Sequence, residues 1–268
     1  MTLNSTSEVS LFQIDTDPQG AVRFSQQVWP LLATPGPLRA TDVMAAHGMR
    51  FHLLAANAVI DVSSLPTEFV LAVTHGALEF SCDGGSPLVL RPGSLLRGTR
   101  IGAAQLRIHA GDHQPCRFAI LATGVKIDPG PTTVAEVVTG TSIAYLNNLE
   151  TAEGRSYCEH RRLPLCWRIG DCLMSETIPL SAFQTVIAAG TLDYDWHPAP
   201  QRQIVLVLTG GLAMEYGDGT HSCVLPGDFL VGEDLQGRGH RTRALLGAER
   251  LSIFAHLREN RVGGEDSD

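Results

Sequence analysis

His197 and His240 are the side chains of this sequence best suited to chemistry near neutral pH. Imidazole titrates in that range, and its neutral form offers one nitrogen lone pair to a proton or a metal. Gln203 lies between them in the chain and supplies an amide oxygen, a weaker donor. Glu233 and Asp234 come shortly before His240. A carboxylate in that place can bind a metal, act as a base, or accept a hydrogen bond that orients the imidazole. An acidic pair in a loop has the plainer alternative of a solvated turn. Tyr194 and Trp196 flank His197 and offer apolar area with polar handles. On an alternating strand both would share the face opposite His197, so joining it requires a bulge, and ordinary packing is the default. Arg202 and Arg238 could neutralise a substrate carboxylate or sit in exposed salt bridges.

Such residues must be carried by strands. Runs such as Glu68-Phe-Val-Leu-Ala-Val and Gln203-Ile-Val-Leu-Val-Leu are apolar, β-favouring and bounded by Gly, Pro and Asp, whereas long amphipathic helices are scarce. Thr132 to Glu153 shows no strand alternation and is expected to hold short helices linking two halves. The tail Gly263 to Asp268 is polar and is expected to fray. An internal repeat organises the rest. Glu68 through Gly76 aligns with Gln203 through Gly211 at an offset of 135, and Pro92-Gly93 aligns with Pro226-Gly227 at an offset of 134. The difference predicts a one-residue loop change between the copies. Each half reads as strands joined by a glycine turn, a polar turn and a Pro-Gly turn, the pattern of a jelly-roll barrel.

The second copy resembles the cupin family. His197, Gln203 and Gly210 follow the first cupin motif, in which a histidine strand leads to a glycine turn, although Ala199 stands at the usual second His and Gln203 at the usual Glu. Pro226-Gly227-Asp228 through Gly239-His240 follows the second motif with a longer spacer and no second Pro. The resemblance implies an all-β, two-barrel bicupin. Its expected division is an N-terminal barrel over 1–125, a linker over 126–168, a C-terminal barrel carrying the site over 169–262, and a tail.

In cupins, metals sit inside the barrel, so the resemblance implies a divalent metal (Fe, Zn, Mn, Ni or Cu) held by His197, His240 and Gln203. The neutral Gln would leave the full metal charge and favour an anionic or chelating oxygen ligand. The implied activity is that of a small-molecule enzyme of dioxygenase, isomerase or lyase/cyclase type. Two alternatives stay open. One is a non-catalytic ligand-binding or regulatory barrel, suggested by Ala199 and Gln203. The other is a metal-free cyclase or isomerase in which Glu233, Asp234 or a His moves protons in a dry pocket. The first copy is expected to lack the ligand set, with Val62, Glu68 and Leu106 at the three positions, and to support folding, cover the other barrel or form a homodimer surface. His75, His109 and His113 fit no site motif.

The resemblance implies a small-molecule substrate or ligand as partner, and bulk properties argue against other classes. A net charge of -8 gives no attraction to phosphate backbones, so nucleic acid is not expected. No apolar run reaches the roughly 20 residues of a membrane helix, and Met1 to Gln13 shows no basic region followed by an apolar core, so a soluble, cytoplasmic protein is expected. The six cysteines include no CxxC pair and are expected to be reduced, with a disulfide among Cys158, Cys166 and Cys172 left open. No phosphate loop or serine elbow is present.

Overall fold

In the computed structural model of the chain, residues 8–17, 19, 21–34, 36–61, 65–82, 86–99, 106–111, 113–124 and 136–259 are described. They are almost wholly strand, and the 3-10 turn Leu245–Gly247 is the one helical element among them. No described helix is long and apolar enough to cross a membrane.

The second half closes a jelly roll. Strands Ile178–Ala188, Arg250–Leu257, Gln203–Thr209 and Phe229–Gly232 lie side by side in that order. Facing them is a sheet of Asp193–His197, His240–Ala244, Leu212–Glu215 and His221–Val224. The first half repeats this order, with Gly48–Leu54, Cys116–Ala122, Glu68–His75 and Leu95–Thr99 facing Val59–Asp61, Leu106–Gly111, Ala77–Cys82 and Leu88–Leu90. Interlocking of successive strands between two sheets defines the jelly roll.

Strand registers correct the expected loop change. Phe69 pairs with Gly98 as Gln203 pairs with Gly232, and both pairs differ by 134. Phe69, not Glu68, is therefore the counterpart of Gln203. Even the bulge is duplicated, between Arg117 and Phe118 opposite Val73–His75 and between the matching Val207 and Thr209 opposite Leu251–Ser252. Leu106 does stand at the place of His240, while Val62 lies outside the described residues.

The expected linker is also strand where it is described. Ser142–Glu150 and Ser156–Pro164 form a hairpin, with Leu146 pairing in parallel with Leu230. Glu8–Thr16 and Val22–Pro30 do the same in the first half, with Phe12 parallel to Leu96. Asn147 and Asn148 hid this strand from its hydrophobic pattern. Both are buried, and both hydrogen-bond to side chains distant in sequence, Asn147 Nδ2 donating to Glu233 and Asn148 Oδ1 accepting from the Tyr216 hydroxyl. Residues 126–135 of the expected linker lie outside the described ones.

The halves exchange strands rather than meeting at a boundary. Leu38–Ala40, from the first copy, pairs with Ile178–Ala188 of the second barrel (Leu38 with Ala188), while Cys172–Met174 pairs with Gly48–Leu54 of the first (Cys172 with Leu54). One apolar core, including Phe51, Ala72, Phe183, Leu206 and Phe229, therefore draws on both copies, and Phe51 stacks on Phe229 at 4.5 Å. Ile204, Leu206 and Leu208 face this shared core, whereas Val205 and Val207 face the interior of the second barrel, which is why Gln203–Thr209 reads as an unbroken apolar run. All six cysteines are free.

Candidate functional site

The first barrel is filled by Phe69, Leu71, Phe80, Ile108, Phe118 and their neighbours. The second is not. A cavity of about 540 Å³ occupies its interior, lined by both sheets and by Leu38 and Ala40 of the exchanged strand. The site therefore takes part of its wall from the first copy, a contribution not expected from the sequence. Comparison at the common offset shows how its wall differs from the first barrel: Phe69 is replaced by Gln203, Leu106 by His240 and Ile108 by Thr242.

His197 and His240 are register partners on the two strands that bring them to the cavity, and their ring centroids lie 4.6 Å apart. Gly239 permits the approach. Its φ is +71°, and a Cβ there would lie 2.0 Å from the His197 carbonyl oxygen. The two rings hold matching tautomers. His197 Nδ1 lies 2.6 Å from the Asp195 carbonyl, which can only accept, and His240 Nδ1 lies 2.6 Å from Asp234 Oδ2. With both Nδ1 atoms donating, each neutral ring keeps its lone pair on Nε2. Burial holds His197 below the ordinary imidazole range, against the opposing pull of the Asp195 carbonyl, and so favours its neutral form.

Of the acidic pair, only Asp234 serves the site. It is fully buried and orients His240 from behind the cavity wall. Glu233 turns away. Asn147 donates to it at 3.0 Å and Arg202 Nε at 2.9 Å, and together they hold its carboxyl below the usual range although burial opposes them. This pairing removes both Glu233 as a base and Arg202 as a substrate contact from the cavity, which neither lines. A register shift between Tyr194 and His197 sends Tyr194 inward, edge-on to His197 at 4.2 Å, and Trp196 outward, where Arg238 stacks over its indole at 4.0 Å. Arg238 and Trp196 therefore occupy each other. Gln203 lines the cavity and pairs across the sheet with His256.

Sequence reasoning missed Arg250, His256, Gln184 and Thr242, all of which line the cavity. Strand period carried a signal: residues 250, 252, 254 and 256 alternate onto one face, and His256 shares that face with Phe254. None of them belongs to the motifs that drew attention to the barrel.

The donors present do not complete a metal site. His197, His240, His256 and the neutral amide of Gln203 line the cavity, but among the described residues no group of three or more His, Cys, Asp or Glu side chains converges as a resident divalent metal ordinarily requires. Asp234, the one buried carboxylate nearby, is committed to His240 Nδ1.

Neither a family model nor a curated protein matches the sequence. Among solved structures, the chain is similar to a cupin 2 conserved barrel domain protein from Leptotrichia buccalis, at 15% identity over 96% of this chain and 92% of that one, with a TM-score of 0.40. It is also similar to the DUF861 protein Ylba from E. coli, at 13% identity over 87% and 89%, with a TM-score of 0.38. A third is a salicylate 1,2-dioxygenase from Pseudaminobacter salicylatoxidans, at 12% identity over 84% and 75%, with a TM-score of 0.36. The jelly-roll assignment rests on the strand order described above.

Proposed function

We propose that the protein is a bicupin whose second barrel binds a small molecule and moves a proton on it, with His240 as the acid–base group, Asp234 as its positioning residue and His197 as a second imidazole at the cavity mouth. One observation carries this reading: the buried 2.6 Å hydrogen bond between Asp234 Oδ2 and His240 Nδ1, which leaves a lone pair on Nε2 of a ring that lines the cavity. A base held in one tautomer, largely walled from water by Val205, Leu212, Met214 and Phe254, suits isomerisation, cyclisation or elimination by proton transfer. Tyr194, 39% exposed, stands at the entrance and packs against His197.

The test is deuterium incorporation. The full chain, incubated in D₂O with a pool of small metabolites, is expected to label a subset of them at carbon, with the labelling lost in His240→Ala and in Gln203→Phe, which restores the filling side chain of the first barrel. Labelling no greater than in a protein-free control would end the proposal. A second reading, a divalent-metal enzyme, rests on His197 and His240 beside Gln203 and requires the substrate to complete the shell that these donors leave short. It predicts stoichiometric metal in the purified protein, lost in the His197→Ala/His240→Ala double variant, and labelling abolished by chelation.

A further inference from the structure

We propose that Arg250 binds the carboxylate of a small, otherwise apolar ligand in the second-barrel cavity, an inference that rests on reading this cavity as a ligand site and names its substrate class. Arg250 opens the strand Arg250–Leu257 and lines the cavity with only 4% of its surface exposed. Among the described residues its Nε and Nη1 have no hydrogen-bond partner, and no carboxylate forms an ion pair with it. Burial pushes its guanidinium down to about 10, which still leaves it protonated at neutral pH. An unpaired buried cation is among the most costly features a fold can keep. The fold does not need it. The matching residue of the first barrel is Cys116, which pairs with Leu54 as Arg250 pairs with Ala188.

Two more groups of the same strand are in the same condition. Ser252 Oγ and His256 Nε2 are buried without a partner among the described residues, and residues 250, 252, 254 and 256 share one face. Their first-barrel counterparts are Cys116, Phe118, Ile120 and Ala122, so the second copy has converted an apolar row into one with Arg, Ser and His. A guanidinium presents a planar fork of donors that matches a carboxylate. The charge count selects a monoanion, since one cation would leave a phosphate dianion undercompensated in an apolar enclosure. Val186, Val205, Leu230 and Phe254 provide the apolar wall for the body of the ligand, and the same cavity presents His197 and His240 to it.

Benzoate and its neutral isostere benzamide test the charge requirement by titration calorimetry on the full chain. Benzoate is expected to bind wild-type protein at least tenfold more tightly than benzamide, and Arg250→Met to lose that advantage, as removal of a charge-assisted hydrogen bond implies. Arg250→Met is also expected to raise the melting temperature of the unliganded protein, because it removes an uncompensated charge. Benzoate binding no better than benzamide, or undiminished in Arg250→Met, overturns the proposal. The wild-type comparison decides it even should the variant not fold. Arg250-dependent binding without any exchange would end the proton-transfer reading alone.

Discussion

His240→Ala should be far more destabilising than the size of the removed ring suggests, because of what it strands. Asp234 is fully buried, and among the described residues its Oδ1 has no partner and its Oδ2 accepts from His240 alone. Removing one member of a buried, charge-assisted pair costs ~3–5 kcal/mol, most of it the penalty of the group left behind. Asp234→Asn keeps volume and can donate to His240 in the opposite tautomer, so its cost should be nearer ~1–2 kcal/mol. In His240→Ala/Asp234→Asn no charge is stranded, while the ring volume lost is the same as in His240→Ala, so the space left by the ring cancels between the two. The double variant should therefore be more stable than His240→Ala by ~2 kcal/mol. Urea unfolding of the four proteins at neutral pH, followed by tryptophan fluorescence, measures this cycle. If His240→Ala matches or exceeds the double variant in stability at neutral pH, Asp234 is not a buried anion held by His240, and the oriented-base argument fails with it.

Three further outcomes follow from other parts of the molecule. His52 is buried and its imidazole is pushed down to about 3 by loss of solvent, with Arg50 adding to the shift, so between the ordinary value of 6.5 and 3 the unfolded chain binds a proton that the folded chain refuses. Stability should fall as pH drops through that window, by ~4–5 kcal/mol in all, and His52→Phe should flatten the acid limb of a melting-temperature profile. Gly239→Ala places a methyl group against the His197 carbonyl at a φ of +71°; it should lose ~1–3 kcal/mol to backbone strain alone and abolish ligand binding, both read from thermal melts with and without ligand. Separate expression of residues 1–135 and 136–268 should give two aggregating fragments and co-expression a soluble complex, because Leu38–Ala40 and Cys172–Met174 pair across the copies; independently monomeric, folded halves would contradict the exchange.

Much of the architecture was legible in the chain itself. Apolar β-branched runs bounded by Gly and Pro-Gly turns define strands by local propensity, and their recurrence marks the duplication, because both signals lie within a few consecutive residues. His197 and His240 stood out for the same reason, as residue types at motif spacing. Tertiary structure alone decided the rest. A strand's period separates its two faces but does not say what each face meets, so Arg202 and Arg238 looked as suitable for an anion as Arg250. Only the assembled barrel pairs the first two with Glu233 and Trp196 and leaves the third unpaired inside. The hairpin at Ser142–Glu150 was hidden because its buried asparagines bond to Glu233 and Tyr216, partners that no local window contains. Strand exchange was invisible on the same principle: pairing between Leu38 and Ala188 is a long-range backbone contact, and neither residue's type records it.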